Sequence, residues 1–495
     1  MSGHGEAVCG LLDVGGVQGS VFAHIICVTD GAVGLVAGLQ KNFGEVCVSD
    51  CDEGPPRLAW GRLRPKHQPG SYPLRVIEPI ESLRIVGGAN LEGEVAVLGA
   101  KNAALKHMVA TLLAPGVHHL SNVPRNLDVE IMCDVLRHVG ARCDRDGTDL
   151  EVTSPEAPLA EAPLDLVRQM RASILILGTL LARTGEARIA LPGGDDFGSR
   201  PIDLHLSGLE AMGVQFDLSH GVLKASAPDG LHGADIYLEF PSVGATENVV
   251  LAAVLADGTT SIGNAAREPE LTDLADYLRA MGAKIDGAGT STIEVHGVQA
   301  LQPADHRVVP DRLEAGTYAA AAAMTSGEVT VRDCVTQHLR MELTKLESAG
   351  ATVTRGEDWF TVRGPDRPEP VDFATLPFPG FHTDMHPQMV SLLSVAAGTS
   401  IATENVYSTR FRYIGELNRM GADIHTDGQH IIVKGVDDLS GCEVDGCDIR
   451  AAAALAIAAL RADGTTTIVG AHHVDRGYDG FVEKLQTLGA DIRRV

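Results

Sequence analysis

The amino-acid sequence predicts an α/β protein in which six copies of one unit fold as two domains of three units each, with a cleft between them. Three observations carry this. A helix end followed by glycine, a small residue and a short strand recurs as LRHVGARC at Gly140, LEAMGVQF at Gly213, LRAMGAKI at Gly282, LESAGATV at Gly350, LNRMGADI at Gly421 and LQTLGADI at Gly489. The interval of roughly 70 residues is the self-similarity of a repeat architecture. An Ala/Leu-rich helix precedes each tag and breaks at Gly116, Gly185, Gly258, Gly327, Gly398 or Gly464. Finally, 495 residues are too many for one core.

Within each tag, Leu and a second apolar residue sit three apart on one helical face, and glycine ends the helix in the left-handed conformation. The preceding helices, such as AAAAAMT and AAAALAIAAL, are apolar nearly all round and belong inside a domain. They run into strands such as TTSIGNA and TTTIVGA, so each copy reads as strand, apolar helix, strand, loop, amphipathic helix, strand. Three copies assign residues 101–309 to the first domain, with a break near Pro310 where PADHRVVPD supplies prolines and polar residues. The second domain takes residues 310–495 together with 83–100. The segment LRIVGGANLEGEVAVLGA precedes the first copy without a partner and is expected to pair with the sixth, so that the chain crosses between domains twice.

Residues 1–82 read differently. They hold four of the nine cysteines, the apolar pieces VFAHIICV and GAVGLVAGL, and the Pro-rich basic stretch PPRLAWGRLRPKHQPGSYP. This is an extension ending in a linker, and a poorly ordered one is expected. Cys47, Cys51 and His67 suggest a metal as the alternative. The third account is that the extension is not translated at all, an upstream start having been chosen for lack of a Met between Met1 and Met108.

Composition excludes several classes. A hydrophobic fraction of 44% with 21% charged residues is globular. A net charge of −25 argues against nucleic acid or an anionic membrane as partner. No apolar run reaches the length of a membrane span, and Met1–Gly10 lacks the basic start of a secretory signal, so a cytoplasmic protein with reduced thiols is expected. Cys442 and Cys447 resemble half a zinc site, but no second pair follows.

The repeats allow loops to be compared. The turn into each apolar helix carries Lys101 and Asn102, Arg171, Ser242, Asp311, Asp384, or Asp448 with Arg450; the loops before amphipathic helices carry Arg200, Arg410 and Arg476. Taken singly, each cation is an ordinary surface ion pair. If all copies share one orientation, these turns gather on one side, where helix N-termini also favour anions. The expectation is a cleft lined by Lys101, Arg171, Arg200, Arg410, Arg450 and Arg476. In LPGGDDFGSRP, Gly193, Gly194 and Gly198 free the backbone, and Asp195 and Arg200 supply an acid and a clamp for an anionic substrate.

LGAKNAALKHMVATLLA, QMRASILILGTLLAR, LPGGDDFGSRPIDLHLSGLEAMG, FPSVGATENVVLAAVLADGTTSIGNAAREPE, PDRLEAGTY and HHVDRGYDGF resemble the enolpyruvyl transferases, in particular those acting on UDP-N-acetylglucosamine, from about Leu83 to Val495. The resemblance implies two inside-out α/β domains, each of three repeats, with the active site in the interdomain cleft. It implies transfer of the enolpyruvyl group of phosphoenolpyruvate to the 3′-hydroxyl of UDP-N-acetylglucosamine with release of phosphate, the first committed step of peptidoglycan precursor synthesis, without cofactor or metal. Asp195 stands where the family places its proton donor, usually a cysteine, and this departure implies insensitivity to epoxides of the fosfomycin type. Lys101, Arg200, Arg410 and Arg476 match the cations around phosphoenolpyruvate, and Asp384 matches the acceptor of the hydroxyl proton. Asn102, Arg171, Arg200, Pro201, Ile202, Asp203, Leu204, Ser242, Val243 and Gly244, with Asp384 and Val406, match the uridine-nucleotide site. Asp448 and Arg450 stand behind these as support, and Asp311 is a candidate hinge or latch.

His382 and His386 flank Asp384 where the family more often has Pro and Gln, and Phe240 stands where many members have a phosphate-binding Lys. A paralogue serving another uridine nucleotide, such as UMP in nucleoside-antibiotic assembly, is therefore the nearest alternative. A non-catalytic nucleotide-binding regulator is the alternative of a different class.

Overall fold

The computed structural model describes Val8–Leu12, His24–Thr29, Ala32–Val36 and residues 81–195, 200–407 and 409–495. The chain divides into a unit over Met1–Val76 and a second over Ile77–Val495. In the first, the three strands form an antiparallel sheet in chain order, with Cys9 opposite Cys27 and Cys27 opposite Gly34. Cys47, Cys51, His67 and the Pro-rich stretch lie outside the described residues.

The second unit is built from six small sheets of one design. In the third copy, Asp235–Tyr237 runs parallel to Thr259–Gly263, which pairs antiparallel with Thr292–His296, itself paired with Lys284–Asp286. The other copies repeat this order of one parallel and two antiparallel pairings. In the second copy the parallel strand shrinks to a bridge between Glu161 and Arg188 beside a three-stranded sheet. Strand alternation follows burial: in Thr465–Val469 only Thr466 and Ile468 are buried, facing the helices.

The leading segment corrects one expectation. Ser82–Val86 pairs with Thr465–Val469 and Asp491–Arg494 of the sixth copy, whereas Glu92–Ala96 pairs parallel with Glu328–Arg332 of the fourth. The turn after Val86 divides the segment between two sheets. Gly88 holds a φ of +79° there, and a side chain on Gly87 would meet the Ala462 carbonyl at 1.7 Å.

The apolar helices lie inside. All of Arg312–Met324 and Ile449–Leu460 is buried, and both helices pack with His386–Leu393. Their alanines remove the bulk that holds ordinary helices apart. In the other lobe Gly178 brings Ile176–Thr184 so close to Val243–Ala253 that its N–H donates to Asn248 Oδ1 at 2.7 Å.

Two separate hydrophobic cores result. One is drawn from residues between Ala100 and Val308, the other from Leu83–Val97 and Leu313–Ile492. The chain passes between them twice, and the two passages run side by side: Ala100 N donates to Val309 O at 2.7 Å and Asp311 N to Leu98 O at 2.8 Å. Asp311 caps the Arg312–Met324 helix through Leu313 N and Glu314 N, and also takes the N–H of Lys101 at 3.4 Å. The two helix starts are thus tied to one carboxylate. Among the described residues no helix is long and apolar enough to cross a membrane.

Candidate active site

A cleft of about 400 Å³ between the lobes is lined by Lys101, Asn102, Arg171, Asp195, Arg200, Pro201, Asp203, Leu204, Ser242, Val243, Gly244, Asp384, Val406, Arg410, Arg450 and Arg476. Of the residues matched to the substrates, Ile202 is off its wall; it precedes the Asp203–Ala211 helix and packs on the first core. Asp311 and Asp448 act behind the wall as helix caps. A more open hollow of about 790 Å³ beside Arg142, Asp144 and Asp305 holds none of the candidates.

Each wall residue is delivered by a helix start or a turn. Lys101 and Asn102 open the Lys101–Ala110 helix, Arg171 opens a 3-10 turn over Arg171–Leu175, Ser242 caps Val243–Ala253 through Ala245 N, and Arg450 follows the Asp448 cap. Asp195 rides on the glycine turn. Gly194 has a φ of +103°, and a side chain on Gly193 would overlap the Arg168 carbonyl, so the turn presses flat on the strip that carries Arg171. Gly198 lies outside the described residues.

At one end an ion-paired chain joins the lobes. Arg476 donates from Nη1 to Asp195 at 2.5 Å and from Nε to Asp128 at 2.8 Å, and Lys101 Nζ donates to the other Asp128 oxygen at 3.1 Å. His473 Nδ1 stands 3.7 Å from Asp195, beyond hydrogen-bond reach. Burial works to raise the Asp195 pKa, but His473 and the charges of Arg476 and Lys101 outweigh it and hold the carboxyl well below the usual carboxylate range. In the same cleft Asp384 accepts from Arg410 at 2.7 Å and from Arg450 at 3.2 Å, and these two charges overcome its burial to keep it ionised.

Towards the third group, Arg171 donates to the Pro201 carbonyl at 2.9 Å while the Arg200 guanidinium lies over the Tyr407 ring, 5.4 Å from its centroid. Burial and the neighbouring Arg200 charge lower Arg171 to about 10. Two guanidiniums brought this close can together hold a dianion such as a diphosphate.

The six cations expected to line the cleft share its wall with acids. Asp128, Glu247, Glu268 and Glu270 interleave with the cations, because a buried cation without a counter-charge is too costly to hold. Arg312 forks onto Glu270 at 2.8 and 3.2 Å, and Lys106 pairs with Glu247. Sequence reasoning missed Asp128, Glu270, Arg312 and His473. The departures beside Asp384 separate cleanly: His382 Nδ1 accepts the Asp384 N–H at 3.0 Å, holding the turn, whereas His386 is fully buried against Phe373, Phe411 and Tyr413. Phe240 lines the cleft and is 39% exposed.

Among the described residues Cys133, Cys143, Cys334, Cys442 and Cys447 are free thiols, and neither Cys442 nor Cys447 belongs to a metal-ligand cluster.

Known proteins share this architecture. The family profile of EPSP synthase (3-phosphoshikimate 1-carboxyvinyltransferase) matches residues 85–485. The enolpyruvyl transferase NikO from Streptomyces tendae superposes with a TM-score of 0.77 at 27% identity, covering 84% of this chain and 99% of that one. Fold and cleft therefore define a two-lobed enolpyruvyl transferase. UDP-N-acetylglucosamine 1-carboxyvinyltransferases from Corynebacterium jeikeium and Mycobacterium tuberculosis are each 50% identical over 415 residues, covering 84% of this chain and 99% of theirs. The chain belongs to the EPSP synthase family of 1-carboxyvinyltransferases.

Proposed function

We propose that this enzyme transfers the enolpyruvyl group of phosphoenolpyruvate to the 3′-hydroxyl of UDP-N-acetylglucosamine, releasing phosphate, in the cytoplasm and as the first committed step of peptidoglycan precursor synthesis. The observation that carries the reading is the pairing of Arg476 with Asp195 and, through Asp128, with Lys101 at one end of a cleft whose other groups are Asp384 with two arginines and the Arg171–Arg200 pair. The 50% identity to enzymes of that name supports the acceptor.

Lys101, Arg200, Arg410 and Arg476 hold the phosphate and carboxylate of phosphoenolpyruvate. Arg171, Asn102, the Arg200–Leu204 run, Ser242–Gly244 and Val406 hold the uridine nucleotide, with its diphosphate on the paired guanidiniums and the Ser242 helix start. As the substrate anions draw Lys101 and Arg476 away from Asp195, the burial that raises its pKa prevails and the carboxyl takes up a proton. That proton passes to the methylene carbon of phosphoenolpyruvate, leaving a cationic centre at the neighbouring carbon. The 3′-oxygen attacks this carbon while Asp384 takes the hydroxyl proton. Phosphate then leaves with the proton held by Asp384 and one proton of the new methyl group returns to the Asp195 carboxylate, which restores the double bond and both acids. Closure of the lobes about the Asp311 passage keeps water from the cation.

The deciding experiment uses the acid. Asp195→Asn should lower turnover by roughly 10²- to 10⁴-fold. The unsubstituted enzyme should keep its activity in a fosfomycin-type epoxide, which needs a thiolate to alkylate, whereas Asp195→Cys should remain active and become covalently inactivated. Inactivation of the unsubstituted enzyme, or full turnover by Asp195→Asn, would remove Asp195 from this role. Faster turnover of UMP than of UDP-N-acetylglucosamine would reassign the acceptor.

A further inference from the structure

Away from the cleft wall, His107, Asp273 and His306 bring their ligand atoms within 4.8 Å of one another. They come from three elements: the Lys101–Ala110 helix, the Pro269–Ala280 helix and the Asp305–Arg307 strand that leads into the passage between lobes. His107 Nε2 lies 3.3 Å from Asp273 Oδ2, and His306 Nε2 lies 2.9 Å from Asp273 Oδ1. A tetrahedral zinc ion with bonds of about 2.0–2.1 Å holds its ligand atoms roughly 3.3 Å apart. Each imidazole thus stands at ligand spacing from one oxygen of the same carboxylate, and one ligand atom from each of the three residues falls within 4.8 Å, close enough for the side chains to close on a single ion.

We propose that His107, Asp273 and His306 form a binding site for a divalent first-row transition metal ion, of which Zn²⁺ fits best. A hydrogen-bonded His–Asp–His network is the plain alternative, and it accounts for His306. It does not account for His107, whose ring is fully buried and whose two nitrogens make no hydrogen bond. A buried polar atom without a partner calls for an ion or a water, and an ion bound to Nε2 supplies the partner. The carboxylate is oriented as metal-binding carboxylates are, since Asp273 Oδ2 accepts the Val309 N–H at 3.0 Å. The Tyr277 ring packs against both imidazoles, with centroids 5.4 Å from His107 and 5.2 Å from His306. His306 also borders the 790 Å³ hollow, which gives an entry path and room for a water as fourth ligand. Two imidazoles and one carboxylate select zinc-like ions over Mg²⁺ or Ca²⁺.

The test uses the full chain, stripped with a chelator. Zn²⁺ titrated in competition with a chromophoric chelator should bind at one equivalent, survive excess Mg²⁺ and raise Tm; Co²⁺ should give the visible absorption of a four-coordinate site. His306→Gln and Asp273→Asn, both at partly exposed positions, should weaken binding roughly 100-fold or more, while His119→Gln on the neighbouring exposed strand should leave it unchanged. X-ray absorption at the zinc edge of the unsubstituted protein should read nitrogen and oxygen ligands only, a result that does not depend on any variant folding. Sulfur ligation, or a Co²⁺ spectrum and stoichiometry unchanged in both ligand variants, would overturn the site, as would failure to bind Zn²⁺ at all.

Discussion

Arg312 shows what a single side chain carries in this cleft. It is buried with Glu270, and the guanidinium, against the burial of that carboxyl, holds Glu270 down at about 2. Glu268 and Glu342, raised chiefly by burial, lean on the same charge. Removing the cation leaves three acids about one desolvated point, so Arg312→Gln should destabilise the protein by about 3–5 kcal/mol in urea unfolding at neutral pH. The exposed Arg363–Glu328 pair provides the contrast, and Arg363→Gln should cost under about 1 kcal/mol. Equal effects from the two variants would mean that the buried fork contributes no more than a surface contact. This fork also shows why the cleft was only half legible in the sequence. Cations such as Lys101, Arg410 and Arg476 stand out because they recur at equivalent turns. Their partners obey no spacing: Asp128 lies 27 residues from Lys101 and 348 from Arg476, distances that only the assembled fold makes short.

At the scale of an element, the glycine tags are the most constrained feature. Gly140, Gly213, Gly282, Gly350, Gly421 and Gly489 all take positive φ, between 94° and 105°. Gly421 isolates the conformational contribution, since an added Cβ meets nothing within 4 Å. Gly421→Ala should therefore cost stability alone, about 1 kcal/mol or more, with turnover unchanged. Gly193→Ala should do the reverse: its Cβ overlaps Arg168, the turn bearing Asp195 must move, and turnover should fall while thermal stability shifts little. A comparison of Tm and kcat for the two variants separates them, and parallel losses in both would sink the distinction. The tags were readable because a helix can end this way at a glycine with little strain. The division of residues 82–96 between two sheets was not readable, since Glu92–Ala96 buries only Val95 and has no alternation of its own to set it apart from Ser82–Val86. Nor was the 3-10 opening at Arg171–Leu175, which periodicity does not distinguish from an α-helix.

Across the whole molecule, the net charge of −25 describes the surface and says little about what the two cores enclose. Several histidines are buried there as neutral rings. Burial, aided by nearby arginines, lowers His205, His382 and His386 to about 3 each. With folded values below the ordinary 6.5, they contribute stability that is present above pH 6.5 and lost as pH falls towards 3, because the unfolded chain takes protons that the folded chain refuses. Glu247 and Glu314 oppose this. Burial raises each to about 7 despite Lys106 and Lys484, so the folded chain binds their protons first, and their contribution is full below 4.5 and lost as pH rises through 7. With His107, His118, His338 and His472 also lowered and Glu268 and Glu342 also raised, seven histidines stand against four glutamates among the described residues, so unfolding free energy in urea should decline from about pH 6.5 downwards, well before ordinary carboxylates titrate. His386 is the residue to test, since it sits among Phe373, Phe411 and Tyr413, where a phenyl ring fits at the loss of the 3.1 Å hydrogen bond between Nδ1 and the Tyr413 hydroxyl, a cost that does not vary with pH in this range. His386→Phe should reduce the slope of stability against pH between about 6 and 5 by up to roughly 1.4 kcal/mol per pH unit, the value of one proton. An unchanged slope would mean that His386 titrates alike in both states, and the acid sensitivity would have to come from elsewhere in the fold.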